Sequence, residues 1–305
     1  MNLKSIAEII SLIENNSIRK KTILTDLYPK IGNAHRIGVT GPPGAGKSSL
    51  INSMIARFRA MNKTVAVICI DPTSPFSGGA ILGDRIRMLQ HYSDDGVFIR
   101  SMASRNALGG LSLASSEVAD ILDAHGFDII IFETLGVGQV EIDVMNESDT
   151  VAVILVPESG DDIQMMKSGL IEIADMYIIN KSDRPGADRL VTTLNNMLET
   201  NPSRGHDDRS TPVLKTNAIN EDGVDDFIKN ILDHFDFMKK SGILEEKNND
   251  RYRRQVKSIV RNRYEGHLWK DENKIGMLDD EVSKELKARV SPNDLADIIL
   301  KDEQY

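Results

Sequence analysis

Two hydrophobic periodicities trade places along the chain. Short apolar runs near 36 to 40, 64 to 70, 97 to 101, 127 to 133, 150 to 156, 175 to 179 and 212 to 216 read as strands. Between them apolar residues recur at helical spacing, so the order predicts an α/β fold with crossover connections. The runs at 128–132 and 150–156 are apolar almost throughout, as strands buried on both faces of a sheet are. Ahead of the first strand, Leu3, Ile6, Ile9, Ile10 and Ile13 mark a short amphipathic helix that packs on the core. Near 240–250 the pair Ser241 and Gly242 and the polar run 245–250 interrupt helical periodicity, and the chain beyond reads helical. Ser291, Pro292 and Asp294 supply the cap, first-turn proline and acid of a helix start. The expected organisation is an N-terminal helical extension over 1–30, an α/β domain over 31–240 and a C-terminal helical arm over 241–305.

The strongest chemical signal lies between the first strand and the helix after it. Gly41, Pro42, Pro43, Gly44, Ala45, Gly46, Lys47 and Ser48 fit GxxxxGK(S/T), followed by Ser49 and by Leu50, Ile51, Met54, Ile55 and Phe58 at helical spacing. In such a loop the backbone N–H groups and the positive end of the helix dipole converge on phosphate. Lys47 is expected to reach the β and γ phosphates and Ser48 to hold Mg²⁺. A second apolar strand ends in Asn180, Lys181, Ser182 and Asp183, an NKxD sequence. A carboxylate there accepts hydrogen bonds from the ring N–H and exocyclic amine of guanine, which adenine cannot offer. Asp183 therefore points to GTP rather than ATP, with Asn180 tying this loop to the phosphate loop and the Lys181 stem lying along the base.

Magnesium takes oxygen ligands, and three acids stand at strand ends or in the loops that follow: Asp71, Asp84 and Glu133. An isolated acid after a strand is commonly a cap or turn residue, but the phosphate loop makes all three candidate ligands beside Ser48. Glu133 follows its strand as a Walker B acid does. The glycine-rich turn after it carries Gln139, a candidate for orienting water, at a spacing unlike DxxGQ.

Taken together, GPPGAGKSS, DPTSPFSGGAILGDRIRM, ETLGVGQVE, PESGDDIQMMKSG and NKSD resemble the MeaB/MMAA/ArgK GTPases from about Ile37 to Asp188. The resemblance implies a P-loop GTPase domain with a mostly parallel sheet flanked by helices, and a helical arm that forms a homodimer. It implies a chaperone of adenosylcobalamin-dependent acyl-CoA mutases such as methylmalonyl-CoA mutase, gating cofactor loading and protecting the enzyme. By position the family's magnesium and switch residues fall on Ser48, Asp71, Asp84 and Glu133. A further switch loop falls on 157–167, where Asp161 and Lys167 correspond to residues of partner-dependent activation. The same segment also reads as a helix start with Asp161 and Asp162 near its positive end. The guanine loop that other GTPases write as SAx becomes Thr216, Asn217 and Ala218, with Asn217 in place of the serine.

Composition narrows the alternatives. The 305 residues are 40% hydrophobic and 27% charged, enough for one large core with a smaller appendage. A net charge of −9 argues against general nucleic-acid binding. The single cysteine, Cys69, excludes a disulfide framework and reads as a core residue. No apolar run reaches a membrane span and no signal peptide is evident, so a cytoplasmic protein is expected. A metallochaperone GTPase would need clustered thiolates or imidazoles, whereas the six histidines are scattered. An ATP-dependent kinase of an amino-acid transport system is the other alternative, and NKSD argues against it. The basic stretch with Arg253, Arg254, Lys257, Arg261 and Arg263 reads either as the solvated face of a dimerisation arm or as a docking site for an acidic partner.

Overall fold

The computed structural model describes residues 3–15, 17–72, 88, 91, 93–104, 110–134, 139–157, 173–200, 210–285 and 288–301. Seven strands form one sheet: β1 His35–Thr40, β2 Val65–Pro72, β3 Val97–Ser104, β4 Ile129–Thr134, β5 Thr150–Leu155, β6 Met176–Ile179 and β7 Val213–Lys215. Their order is β3-β2-β4-β1-β5-β6-β7, and every described pairing is parallel. All seven apolar runs of the sequence are strands. β4 continues through Thr134 and β2 through Pro72, so Glu133 and Asp71 lie within strands and not beyond them.

Alternation along each strand splits the interior into two cores, one on each face of the sheet. On one face Ile68, Ile130, Val153 and Tyr177 meet helices α1 Leu3–Glu14, α4 Gly110–Ala124, α5 Gln139–Met145 and α6 Ala187–Thr200. On the other, Val39, Val67, Ile131 and Ile154 meet α3 Lys47–Ala60 and α7 Val224–Ser241. The amphipathic α1 buries Ile6, Ile10 and Ile13, each worth about 2 kcal/mol of transfer free energy. The short helix α2, Lys20–Leu27, has no fully buried residue, and its Ile23, Leu24 and Leu27 are only partly buried against the core. That weak periodicity is why the sequence marks only α1 by its apolar stripe within the helical extension over 1–30.

The polar run 245–250, expected to interrupt helical structure, is itself helical. The break is the single residue Gly242, with φ of 82°, between α7 and α8 Ile243–Leu268. Glu245 and Glu246 sit in the first turn of α8, where acids favour the helix dipole. Farther along, Lys247 donates to Asp149 O at 2.6 Å and Arg251 pairs with the Asp149 carboxylate. Ion pairs, not an apolar stripe, hold this turn.

The chain divides into two compact units, Met1–Tyr252 and Arg253–Tyr305. The second contains the rest of α8, then α9 Glu272–Ser283 and α10 Pro292–Lys301. Ser291 accepts from the Asp294 N–H at 3.1 Å and donates to its carboxylate at 2.7 Å, the start expected from sequence. Within this unit Leu268, Trp269, Val282, Leu295 and Ile299 line an apolar cavity of about 430 Å³. Among the described residues no helix is long and apolar enough to cross a membrane.

Candidate functional site

The carboxyl ends of parallel strands are where open α/β sheets bind ligands, and the predicted motifs gather there. β1 is paired on both sides, by β4 and β5, so the loop after it leaves from the middle of the sheet. Two of its glycines are required by geometry. Gly41 has φ of 144°, and a Cβ on it would stand 2.1 Å from Ile154 O. Gly46, the N-cap of α3, has φ of 86°, and a Cβ there would stand 2.4 Å from Asn180 Nδ2. The Lys47 side chain is buried and curls back into the loop, its Nζ donating to Gly41 O at 2.8 Å and Pro42 O at 2.9 Å. The helix behind it opens at Gly46 with no side-chain cap, and its positive dipole end faces the loop.

Ser48 and Glu133 meet beneath this loop. The Ser48 hydroxyl donates to Glu133 Oε1 at 2.7 Å, and both side chains are buried. Cys69 Sγ contacts the other carboxylate oxygen at 3.7 Å, because β2 registers Cys69 opposite Glu133. The cysteine is therefore both core and neighbour of the acid, a placement that only strand register reveals. Thr134 donates to Thr40 across the same strand ends at 2.9 Å. Sequence patterns carry no signal for that pair. A hydroxyl and a carboxylate in contact are hard oxygen donors of the kind Mg²⁺ takes alongside phosphate oxygens, so the residues fit the ion. Among the described residues no group of three or more His, Cys, Asp or Glu side chains is placed to hold a metal by itself.

The NKxD segment adjoins the phosphate loop directly. Asn180 is buried, donates from Nδ2 to Ala45 O at 2.8 Å, and accepts at Oδ1 from the Ala218 N–H at 3.1 Å and the Thr216 hydroxyl at 3.3 Å. Lys181, with φ of 55°, donates from Nζ to Gly44 O at 2.8 Å. Asp183 Oδ1 accepts from Asn217 Nδ2 at 2.9 Å. One asparagine thus joins three loops, following β1, β6 and β7. These contacts bring Gly41, Pro42, Gly44, Ala45, Lys47, Ser48, Glu133, Asn180, Lys181, Asp183, Asn217 and Ala218 together at one edge of the sheet as the candidate site. Pro43 and Ser49 belong to the same loop and helix start.

Of the remaining candidates, Asp71 is placed by its backbone, in register with Ala103 at the end of β2. Gln139 opens α5. Asp84, Asp161 and Lys167 lie outside the described residues.

The description methylmalonyl-CoA mutase-associated GTPase MeaB belongs to a family model that matches residues 6–273. A relative from Pyrococcus abyssi is 42% identical over 300 residues, covering 98% of this chain and 92% of its own length. The GTPase ArgK of Escherichia coli is 35% identical over 249 residues, 79% of this chain and 75% of its own. Among solved structures, that of an LAO/AO transport system kinase covers 100% of this chain and 94% of its own with a TM-score of 0.73. At 23% identity that likeness speaks for the fold alone. The phosphate loop, its guanine-loop neighbours and the span of the family match lead to one conclusion: the chain belongs to the methylmalonyl-CoA mutase-associated GTPase family MeaB, whose members hydrolyse GTP, and is itself a GTPase.

Proposed function

We propose that the protein is a Mg²⁺-dependent GTPase that serves as a chaperone of an adenosylcobalamin-dependent acyl-CoA mutase, methylmalonyl-CoA mutase or a relative. GTP binding and hydrolysis are coupled to loading of the mutase cofactor and to protection of the enzyme. The observation that carries this reading is a family match running from the first helix to residue 273, well past the nucleotide site. The protein works in the cytoplasm, with an extension over 1–30, a GTPase domain over 31–240 and an arm over 241–305.

In this reading Lys47 reaches from the phosphate loop to the β and γ phosphates, while backbone N–H groups of residues 44–49, past the two prolines that have none, cradle them. Ser48 and Glu133 hold Mg²⁺, with Asp71 and Asp84 completing its surroundings directly or through water. Held there, Mg²⁺ would supply positive charge against the negative charge that develops on the phosphate oxygens. Asp183 reads the guanine edge, flanked by Asn180, Lys181, Asn217 and Ala218. Gln139 orients the attacking water, and Asp161 and Lys167 respond to the partner. The arm forms a homodimer. Supporting this, the second unit leaves large apolar side chains in solvent, among them Val260 at 60%, Val282 at 57% and Trp269 at 43% exposure.

GTP turnover by the purified protein, alone and with the adenosylcobalamin-dependent mutase from the same source, tests the coupling. Slow basal hydrolysis that accelerates at least about tenfold is expected, since ordering a charge-stabilising group gives effects of that size or more. Unchanged turnover over a mutase titration removes the chaperone reading and leaves the GTPase.

A further inference from the structure

We infer that Cys69 is a positioning residue for magnesium: its buried thiol braces the Glu133 carboxylate and, through it, the Ser48 hydroxyl in the orientation that suits a cation. This deepens the magnesium reading given above and rests on it.

Strand register creates the contact. Glu133 on β4 stands opposite Val39 of β1 on one side and Cys69 of β2 on the other. Alternation puts it on the same face of the sheet as Ile131, Val39 and Cys69, the face that α3 covers. Of these two strand neighbours the valine side chain has no donor, and the cysteine has an S–H. Cys69 and Glu133 are each 1% exposed, so the pair is closed to bulk water. Glu133 Oε1 accepts from the Ser48 hydroxyl at 2.7 Å, and Oε2 lies 3.7 Å from Cys69 Sγ, within reach of a thiol donor. An ionised carboxylate only accepts, so both neighbours donate to it.

The terminal torsion of a glutamate is broad and two-fold, so one hydrogen bond lets the carboxylate pivot about it. A second donor on the other oxygen fixes the carboxylate plane. That plane decides where Oε1 stands, and Oε1 takes the proton of the Ser48 hydroxyl. A hydroxyl has one proton and two lone pairs, so its bond to Glu133 sets the direction in which the lone pairs point. Cys69, Glu133 and Ser48 thus form a relay that presets the oxygens proposed for Mg²⁺, in the way that outer partners orient the ligands of metal sites in general. Alanine at position 69 keeps the strand and loses the brace. Serine keeps a donor in nearly the same place.

The test is equilibrium binding of a non-hydrolysable GTP analogue to the full-length protein, first in EDTA and then across a Mg²⁺ titration. In Cys69→Ala the Mg²⁺ concentration of half effect should rise by about tenfold, the low end for an outer partner because a thiol is a weak donor, while affinity in EDTA stays at the wild-type value. Cys69→Ser should stay close to wild type in both. Loss of core volume alone would move the alanine and serine variants together, so an equal shift in the two assigns the effect to packing and overturns the inference. If Cys69→Ala does not fold, Cys69→Val, which fills the space and offers no donor, takes its place in the comparison. A wild-type Mg²⁺ midpoint in the donor-free variant, with the midpoint displaced in Glu133→Gln, overturns the inference and leaves the magnesium reading intact. An undisplaced midpoint in Glu133→Gln overturns both.

Discussion

At the residue scale, position in the chain and position in space part company most sharply at the ends of the strands remote from the nucleotide loops. His35 Nε2 lies 2.8 Å from the Thr150 hydroxyl, which lies 2.9 Å from His234 Nδ1, and the His35 ring stacks on Phe235 at 3.9 Å. Burial, against an opposing pull from Asp149, lowers His35 from the ordinary histidine value of 6.5 to about 3, so the imidazole is neutral in the fold. Beside it, burial alone would raise Asp149, but the Arg251 guanidinium, with the Arg36 N–H and guanidinium, outweighs it and holds the carboxyl below its usual range. The sign is the same for both groups. The unfolded chain binds the His35 proton below about pH 6.5 and the folded chain does not, so stability is full above that pH and declines as pH falls towards 3. Asp149 adds to the decline only below about pH 4. Urea-unfolding free energy should therefore drop between pH 6.5 and 4.5 with a His35 share of up to about 1.4 kcal/mol per unit, and His35→Asn should remove that share. An identical slope in the variant contradicts the assignment. None of this cluster is legible in sequence, because its partners are separated by roughly a hundred residues and a polar residue at a strand start has no periodicity. Lys47, Ser48 and Asp183 stand out in the sequence because the GxxxxGK(S/T) and NKxD patterns fix both residue type and spacing.

At the scale of elements, strands could be read because a strand buried on both faces carries a continuous apolar run, as β5, β6 and the first four residues of β4 do. The α7–α8 junction could not, because its helix is held by charge. Arg251 pairs with a fully enclosed Asp149, whose other oxygen accepts from the Arg36 N–H at 2.8 Å. Removing one partner of a buried ion pair leaves the other uncompensated, so Arg251→Met should destabilise by about 3–5 kcal/mol. Chemical denaturation checks this, and Asp149→Asn combined with Arg251→Met should recover part of the loss. A single variant as stable as wild type would show that the pair contributes nothing to holding α8.

At the scale of the whole molecule, the sheet is a rack that brings distant loops to one edge. The GxxxxGK(S/T) loop follows β1, the acid Glu133 stands one residue before the end of β4, and the NKxD loop and the loop at 216–218 follow β6 and β7, with Asn180 bonded to the first and last. Motif spacing foretold this assembly because each motif ends a strand of one parallel sheet, where all strands point the same way. The contacts that weld it, such as Asn180 to Ala45 and Lys181 to Gly44, depend on strand order, which spacing does not encode. In the proposed function these loops make a single site for GTP. Equilibrium binding of GTP and ATP to the intact protein tests it most directly: a preference for GTP of about a hundredfold or more is expected from a carboxylate that adenine leaves unsatisfied. Equal affinity for the two nucleotides would contradict it.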